Sequence, residues 1–184
     1  ALIKGRLIGG TGETKWFKKV EKSIKKVVYE WTPPANIDSQ INHFRLRKEK
    51  ELSGENIHSR NIKEGKGGIL DIEYLTQLMQ LKHGKDFPQI QSHKTLEALK
   101  NIGKLELIKK EETESLEHNY KFLRIIENGL RLINDDSTNI IDLEKIRLET
   151  ITRLLKNHGY EVTNLRISLE KTTQNVRKIY LKYF

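Results

Sequence analysis

Cysteine, long apolar runs and signal-peptide features are all missing from this chain of 184 residues. Without cysteine the chain can form neither a disulfide nor a thiolate metal site. No apolar run approaches the roughly 20 residues that a membrane-spanning helix needs. We therefore expect a cytoplasmic protein that does not enter a membrane. The chain begins with Ala1, and its first residues look like the middle of an element, which suggests a fragment of a longer protein.

The motifs of several enzyme classes are missing too. The six histidines show no metal-ligand spacing, there is no serine-centred hydrolase motif, and the glycine-rich run lacks the spacing of a P-loop lysine. Nucleotidyl transfer needs a carboxylate pair that holds Mg²⁺ and a turn that cradles phosphates. Asp135 and Asp136 are adjacent in a predicted loop and point apart, so they are a poor metal pair. We expect no catalytic residue and no metal site in this chain.

The positive charge is concentrated near the amino terminus. The net charge is +9, and residues 1–50 hold 12 Lys/Arg against 5 Asp/Glu, an excess of +7. Such an excess indicates an acidic partner or neighbouring domain on that side. It leaves open a basic helical module that binds nucleic acid, although there is no interleaved aromatic platform and no helix-turn-helix for specific recognition. An assay of nucleic-acid binding against salt separates the alternatives.

Apolar periodicity predicts an all-α bundle of six to seven helices. Asp142 and Thr163 are the expected N-caps of the last two helices, and Ser92 or His93 that of the short fourth one. No convincing strand follows residue 14, and no repeat is present. We interpret residues 1–14 as a linker or the end of a preceding domain and residues 15–184 as the bundle. The predicted helices cover about 15–31, 36–52, 68–83, 95–102, 110–133, 142–157 and 163 to the end.

The chain is organised around residues 61–77, where three glycines in a four-residue window lead into an apolar helix. Glycine allows a positive φ and close approach of another group, and free N–H groups at a helix start can bind an anion. Asp71 falls on an apolar face of this helix, while Glu73 and Gln77 lie on a polar stripe. Asp71 either interacts with the helix dipole or belongs to a site, because a buried unpaired charge is costly.

Glu127 is a second carboxylate on an apolar stripe, within the predicted helix of residues 110–133. Arg124 precedes it by one helical turn and can reach it. The two residues form either a structural ion pair at a helix interface or part of a polar cluster with Lys63, Asp71 or Arg45. The stripe consists of Leu116, Tyr120, Leu123, Glu127 and Leu130.

Two segments resemble the bacterial glutamine synthetase adenylyltransferases and the related PII uridylyltransferases. Arg45 also matches an arginine of that family, with Phe44 in place of the usual methionine. Asn128 and Arg131 depart from the pattern, which has histidine and glutamine there. The matching segments are Lys63-x-Gly65-x-Gly67-Gly68-Ile69-x-Asp71-Ile72-Glu73-Tyr74-x-x-Gln77 and Tyr120-x-Phe122-Leu123-Arg124-x-x-Glu127.

The resemblance implies a helical domain that follows a nucleotidyltransferase domain. The whole enzyme would use ATP and Mg²⁺ to transfer AMP to a tyrosine of glutamine synthetase, or would remove it, with glutamine synthetase and the PII protein as partners. This chain would wall the active-site cleft and would be inactive alone. The resemblance implies these candidates on the substrate and nucleotide side: Arg45, Lys63, Gly67, Gly68, Asp71, Glu73, Gln77, Arg124 and Glu127.

Overall fold

The computed structural model describes residues 2–5, 14–133, 139–144 and 148–184, and these parts form the predicted all-α bundle. The residues 9–12 and the Asp135–Asp136 pair lie outside the described residues. No helix in the described ranges has the length and apolar character needed to cross a bilayer. The helices are α1 (Thr14–Tyr29), α2 (Ile37–Leu52), α3 (Ile69–His83), α4 (Thr95–Lys104), α5 (Lys110–Ile133), α6 (Leu148–Asn157) and α7 (Leu165–Tyr183), with 3₁₀ turns at Leu2–Lys4 and Pro88–Ile90.

One apolar core joins α2 to α7, with α3 at its centre. Helices α2, α4, α5 and α7 all pack on α3, and α4 and α6 pack on α5. The predicted seam of α5 is buried along its whole length, including Glu127, which has no exposed surface. The core therefore fixes the two motif helices, α3 and α5, against each other.

Two short strands correct the expectation that no strand follows residue 14. Strand β1 (Ser59–Asn61) and strand β2 (Ile140–Asp142) pair in antiparallel register, with Arg60 opposite Ile141. Three residues are too few to show an alternating pattern, so only the tertiary fold reveals this pairing. Asp142 therefore ends a strand instead of capping α6, and its Oδ1 accepts a hydrogen bond from the Glu144 amide at 3.0 Å.

The predicted caps of α7 and α4 are also wrong. Asn164 caps α7, since its side chain accepts a hydrogen bond from the Ile167 amide at 3.1 Å, and Thr163 lies one residue too early. Lys94 stands at the N-cap position of α4 and makes no side-chain capping bond, while Ser92 accepts from the Lys94 amide instead. Threonine, serine and asparagine are all good caps, so composition alone does not choose among neighbours.

Helix α1 is amphipathic, but little of its apolar face is covered by the described residues. Val28 and Tyr29 are buried in a small cluster with Ile3, apart from the main core. Trp16 and Val27 are 63% and 64% exposed. This apolar face is therefore largely open among the described residues.

Candidate functional site

Asp71 is completely buried at the first turn of α3, and its partners come from two other helices. Its carboxylate lies 2.5 Å from Arg45 Nε of α2 and 3.0 Å from Arg177 Nη1 of α7. Glu49 Oε2 lies 3.2 Å from Arg45 Nη1 and 3.1 Å from Arg177 Nη1. We call these four residues the Asp71 network. The two arginines and the two carboxylates balance in charge. Asp71 can therefore be buried on an apolar face of α3, because its charge is paired.

Arg177 is the member of this network that the sequence did not reveal. Burial lowers its pKa, but the charges of Asp71 and Glu49 outweigh burial and raise the pKa overall, so the guanidinium stays charged. Its guanidinium carbon lies 5.2 Å from the centre of the Tyr180 ring. Burial, with a further contribution from Asp71, raises the pKa of Tyr180, which stays neutral. Arg177 lies on the last helix, outside both motifs, and only its position beside the buried Val176 hints at a role.

The two central glycines serve different purposes. Gly67 has a φ of +69°, and a Cβ there would overlap the backbone of Thr173 in α7. Gly68 has a φ of −79°, an ordinary value, but a Cβ there would lie 2.7 Å from the carbonyl oxygen of Lys63. The absence of a side chain at Gly67 therefore lets α7 pack on the turn, and its absence at Gly68 lets the carbonyl of Lys63 lie close to the turn.

The start of α3 is closed to an external anion. Each backbone N–H from residue 67 to residue 71 already has an acceptor within the protein, so the predicted anion site at this helix start is not formed. The bonds run from Gly67 to Asp71 Oδ2 (2.9 Å), and from Gly68 to Gly65 O (3.1 Å), Ile69 to Ile62 O (2.9 Å), Leu70 to Lys63 O (3.1 Å) and Asp71 to Gly68 O (3.1 Å).

The alternative in which Arg124 and Glu127 form one polar cluster with Lys63 and Asp71 is wrong. Glu127 pairs with Arg124 Nη1 at 2.6 Å and Arg131 Nη2 at 2.9 Å, both from its own helix. The Lys63 Nζ lies 3.8 Å from a carboxylate oxygen of Glu64, the next residue. No contact joins Asp71 to Glu127 in the part of the chain that the structure describes. Different arginines neutralise the two carboxylates. Of the two alternatives for Glu127, the geometry therefore favours the structural ion pair.

Two of the candidate site residues line an open cleft of about 1010 Å³, where solvent can reach them. Glu73 of α3 and Arg124 of α5 both line it, and we call it the Glu73 cleft. The Arg124 side chain is 43% exposed, and its guanidinium carbon lies 5.9 Å from the centre of the Tyr120 ring. Lys94, Lys121 and Glu97 line the same cleft, so with Lys4 and Arg124 its charged lining has four basic and two acidic side chains.

Lys4 joins the amino-terminal turn to this cleft. Its Nζ lies 2.8 Å from Glu73 Oε1 and donates to Thr95 Oγ1 at 3.1 Å. The Tyr120 hydroxyl donates to the same Glu73 oxygen at 3.1 Å. Burial and then the charge of Glu73 raise the pKa of Tyr120, so the hydroxyl stays protonated and remains a donor. Lys4 lies 69 residues before Glu73 in the chain, so their contact is not evident in the sequence.

The remaining candidate, Gln77, lies in a different place, an apolar groove beside α1. In the described ranges, no three histidine, aspartate or glutamate side chains come together as a metal site.

A family model described as GlnD PII-uridylyltransferase matches residues 35–184. The match begins just before α2 and includes both motif helices and α7. The chain therefore belongs to this family, as the two motifs predicted. The match also covers Arg45, Asp71 and Arg177, so the complete Asp71 network falls within the family region.

Curated relatives share the name bifunctional glutamine synthetase adenylyltransferase/adenylyl-removing enzyme. The relative from Bartonella henselae is 30% identical over 190 residues, which cover 100% of this chain and 19% of the relative. The relative from Vibrio parahaemolyticus is 32% identical over 187 residues, 98% of this chain and 18% of the relative. The relative from Psychromonas ingrahamii is 34% identical over 159 residues, 82% of this chain and 16% of the relative. The chain thus spans less than a fifth of the length of these relatives.

Proposed function

We propose that this chain is the helical domain that follows a nucleotidyltransferase domain in a glutamine synthetase adenylyltransferase. One observation carries the proposal: Glu73 and Arg124, from the two motifs, line one open cleft, and Lys4 pairs with Glu73 beside it. In this proposal residues 1–14, interpreted above as a linker or the end of a preceding domain, are the end of the nucleotidyltransferase domain, so Lys4 would bring that domain to the cleft. The names of the relatives and their greater length support this arrangement.

In this proposal the Glu73 cleft is one wall of an active site whose metal-binding carboxylates belong to the preceding domain. Arg124, Lys94 and Lys121 give the wall a positive potential, which attracts an anionic substrate group. Glu73, which accepts a hydrogen bond from Tyr120, would hold Lys4 and therefore the preceding domain in position. The whole cytoplasmic enzyme would use ATP and Mg²⁺ to add AMP to a tyrosine of glutamine synthetase or would remove it, and PII would regulate it.

The candidates divide by burial within this proposal. Arg45 and Asp71 are fully buried and maintain the fold, as does the turn at residues 67–68. Glu127 is buried too, and its role is to hold the arginines of α5. Glu73 and Arg124 line the cleft and are the candidates that would meet a substrate there, whereas Lys63 and Gln77 do not line it.

A matched pair of arginines tests the proposal in the longer enzyme that carries this domain. Arg124 and Arg131 both bind Glu127 and are 43% and 51% exposed, but only Arg124 lines the cleft. We expect Arg124→Ala to lower kcat/KM for AMP transfer to glutamine synthetase by at least about tenfold, roughly 1.4 kcal/mol. We expect Arg131→Ala to change it by less than about twofold. Equal losses, or no loss at Arg124, would contradict the proposed role of the cleft.

A further inference from the structure

Tyr120 of α5 contacts two different parts of the Glu73 cleft, and its residue is only 8% exposed. The hydroxyl donates a hydrogen bond of 3.1 Å to Glu73 Oε1, and the Nζ of Lys4 lies 2.8 Å from the same oxygen. Because both groups share one oxygen, the Tyr120 hydroxyl fixes the position of the carboxylate that Lys4 binds. The ring of Tyr120 faces Arg124, whose guanidinium carbon lies 5.9 Å from the ring centre.

Among the residues that the structure describes, Arg124 has no hydrogen bond that sets the direction of its guanidinium group. Its Nη1 lies 2.6 Å from Glu127 Oε2, but that oxygen accepts no aligned hydrogen bond. Arg131, by contrast, donates an aligned hydrogen bond of 2.9 Å to Glu127 Oε1. Glu127 therefore balances the charge of Arg124 without fixing its orientation. The ring of Tyr120 restrains it instead, because an aromatic face attracts a guanidinium that lies within about 6 Å of the ring centre.

We propose, on the basis of the function proposed above, that Tyr120 is a positioning residue that couples the pairing of Lys4 with Glu73 to the orientation of Arg124. When Lys4 and the Tyr120 hydroxyl share the Glu73 oxygen, the tip of the ring is held and the ring presents a fixed face to the guanidinium. A ring face attracts the guanidinium without accepting its in-plane N–H groups, so these stay free to donate to an anionic group in the cleft. Arg124 is then oriented for a substrate only while the amino-terminal turn is docked.

Glu112 supplies a matched control outside the cleft. The Tyr183 hydroxyl donates to Glu112 Oε2 at 2.6 Å, and Lys182 Nζ lies 2.6 Å from Glu112 Oε1. This second group of a lysine, a glutamate and a tyrosine does not line the Glu73 cleft. Tyr183→Phe and Lys182→Met therefore measure what the loss of such a hydroxyl or ammonium group does to the fold alone.

The first experiment uses the 184-residue chain and does not depend on activity. The side-chain Nε–H resonance of Arg124, assigned by its loss in Arg124→Lys, reports on the environment of the guanidinium. We expect this resonance to shift in Lys4→Met and in Tyr120→Phe, and to stay in place in Lys182→Met and Tyr183→Phe. Adding Lys4→Met to Tyr120→Phe is expected to produce no further shift, because the hydroxyl that transmits the change is already absent.

The second experiment measures AMP transfer to glutamine synthetase by the longer enzyme that carries this domain. We expect Tyr120→Phe to lower kcat/KM by at least about fivefold and Tyr183→Phe to change it by less than about twofold. In an Arg124→Ala background, we expect Tyr120→Phe to add less than about twofold, because its effect acts through the arginine. Tyr120→Phe keeps the buried ring, and far-ultraviolet circular dichroism confirms that each variant is folded.

Each of the following results would overturn the inference. An Arg124 resonance that ignores Lys4→Met, or that shifts equally without the Tyr120 hydroxyl, would mean that Tyr120 transmits nothing between them. A loss of kcat/KM for Tyr120→Phe that is no larger than that for Tyr183→Phe, or that is equally large with and without Arg124, would mean that Tyr120 only supports the fold. Failure of the proposed function is a separate result, because it leaves kcat/KM unchanged in Arg124→Ala itself.

Discussion

Replacing Asp71 by asparagine tests whether the Asp71 network holds the bundle together. The substitution keeps the shape of the side chain but removes the charge that lies 2.5 Å from Arg45 Nε and 3.0 Å from Arg177 Nη1. Glu49 would then face two guanidinium groups alone. Removing one partner of a buried ion pair typically costs roughly 3–5 kcal/mol, because the remaining charge stays buried without compensation.

Three features place the expected loss at the lower end of that range. Asparagine keeps an oxygen that can accept the Gly67 amide hydrogen, a bond of 2.9 Å in the native chain. The Arg177 side chain is 17% exposed, so water can reach it. The close contact of Arg45 Nε with Asp71 is not aligned as a hydrogen bond. We expect Asp71→Asn to lower the free energy of unfolding by about 3 kcal/mol, which for a chain of this size lowers Tm by roughly 6–12 °C.

Urea unfolding followed by far-ultraviolet circular dichroism measures this loss. Glu51→Gln is the matched control, because it breaks an ion pair with Arg47 in which both side chains are 57% exposed. We expect the control to cost less than about 0.5 kcal/mol. Adding Arg177→Met to Asp71→Asn removes the stranded charge, so the double variant is expected to lose less than the sum of the single losses. A loss at Asp71 below about 1 kcal/mol, or no larger than the control, would refute the reasoning.

Three further predictions concern other parts of the chain. Gly67→Val is expected to destabilise the fold by more than about 1 kcal/mol, because it combines a positive φ with an overlap at Thr173; unchanged urea midpoints at both Gly67 and Gly68 would contradict the close packing of the turn. Burial raises the pKa of Glu112, but hydrogen bonds from Lys182 and Tyr183 outweigh burial and leave it below 4.5. Its stabilisation is therefore present above about pH 4.5 and is lost as pH falls through the lower folded pKa. The Tm difference between wild type and Glu112→Gln should shrink in that acidic window, and a difference independent of pH would exclude this role. Nucleic-acid binding is expected to be weak, nonspecific and abolished by moderate salt, and tight sequence-specific binding would favour the alternative module.

Local patterns in the sequence were sufficient for the helices and for part of the site. The stripe that ends at Leu130 predicted α5 over residues 110–133, and the structure has the same bounds. A repeat near 3.6 residues is a property of one segment, so it can be recognised without knowledge of its neighbours. The same reasoning identified Asp71 and Glu127 as carboxylates that must have partners, which they do.

Distant partners could not be identified in this way. Arg177 is 106 residues from Asp71 in the chain, and β1 pairs with a strand more than 70 residues away. The N-cap of α7 was misplaced by one residue because Thr163 and Asn164 both satisfy the same local rule. Which of them is used depends on where the helix meets the rest of the bundle.

The sequence by itself determined an all-α chain, its family and the two motif helices, because these depend on local periodicity and on residue order. Only the tertiary structure decided what the motif residues contact. Helix α7 packs on the glycine turn, so the start of α3 became part of the core instead of an anion site. Glu73 and Arg124 line an open cleft because α3 and α5 bury their other faces against each other. Burial and charge pairing are set by which elements meet, and that is a property of the whole fold.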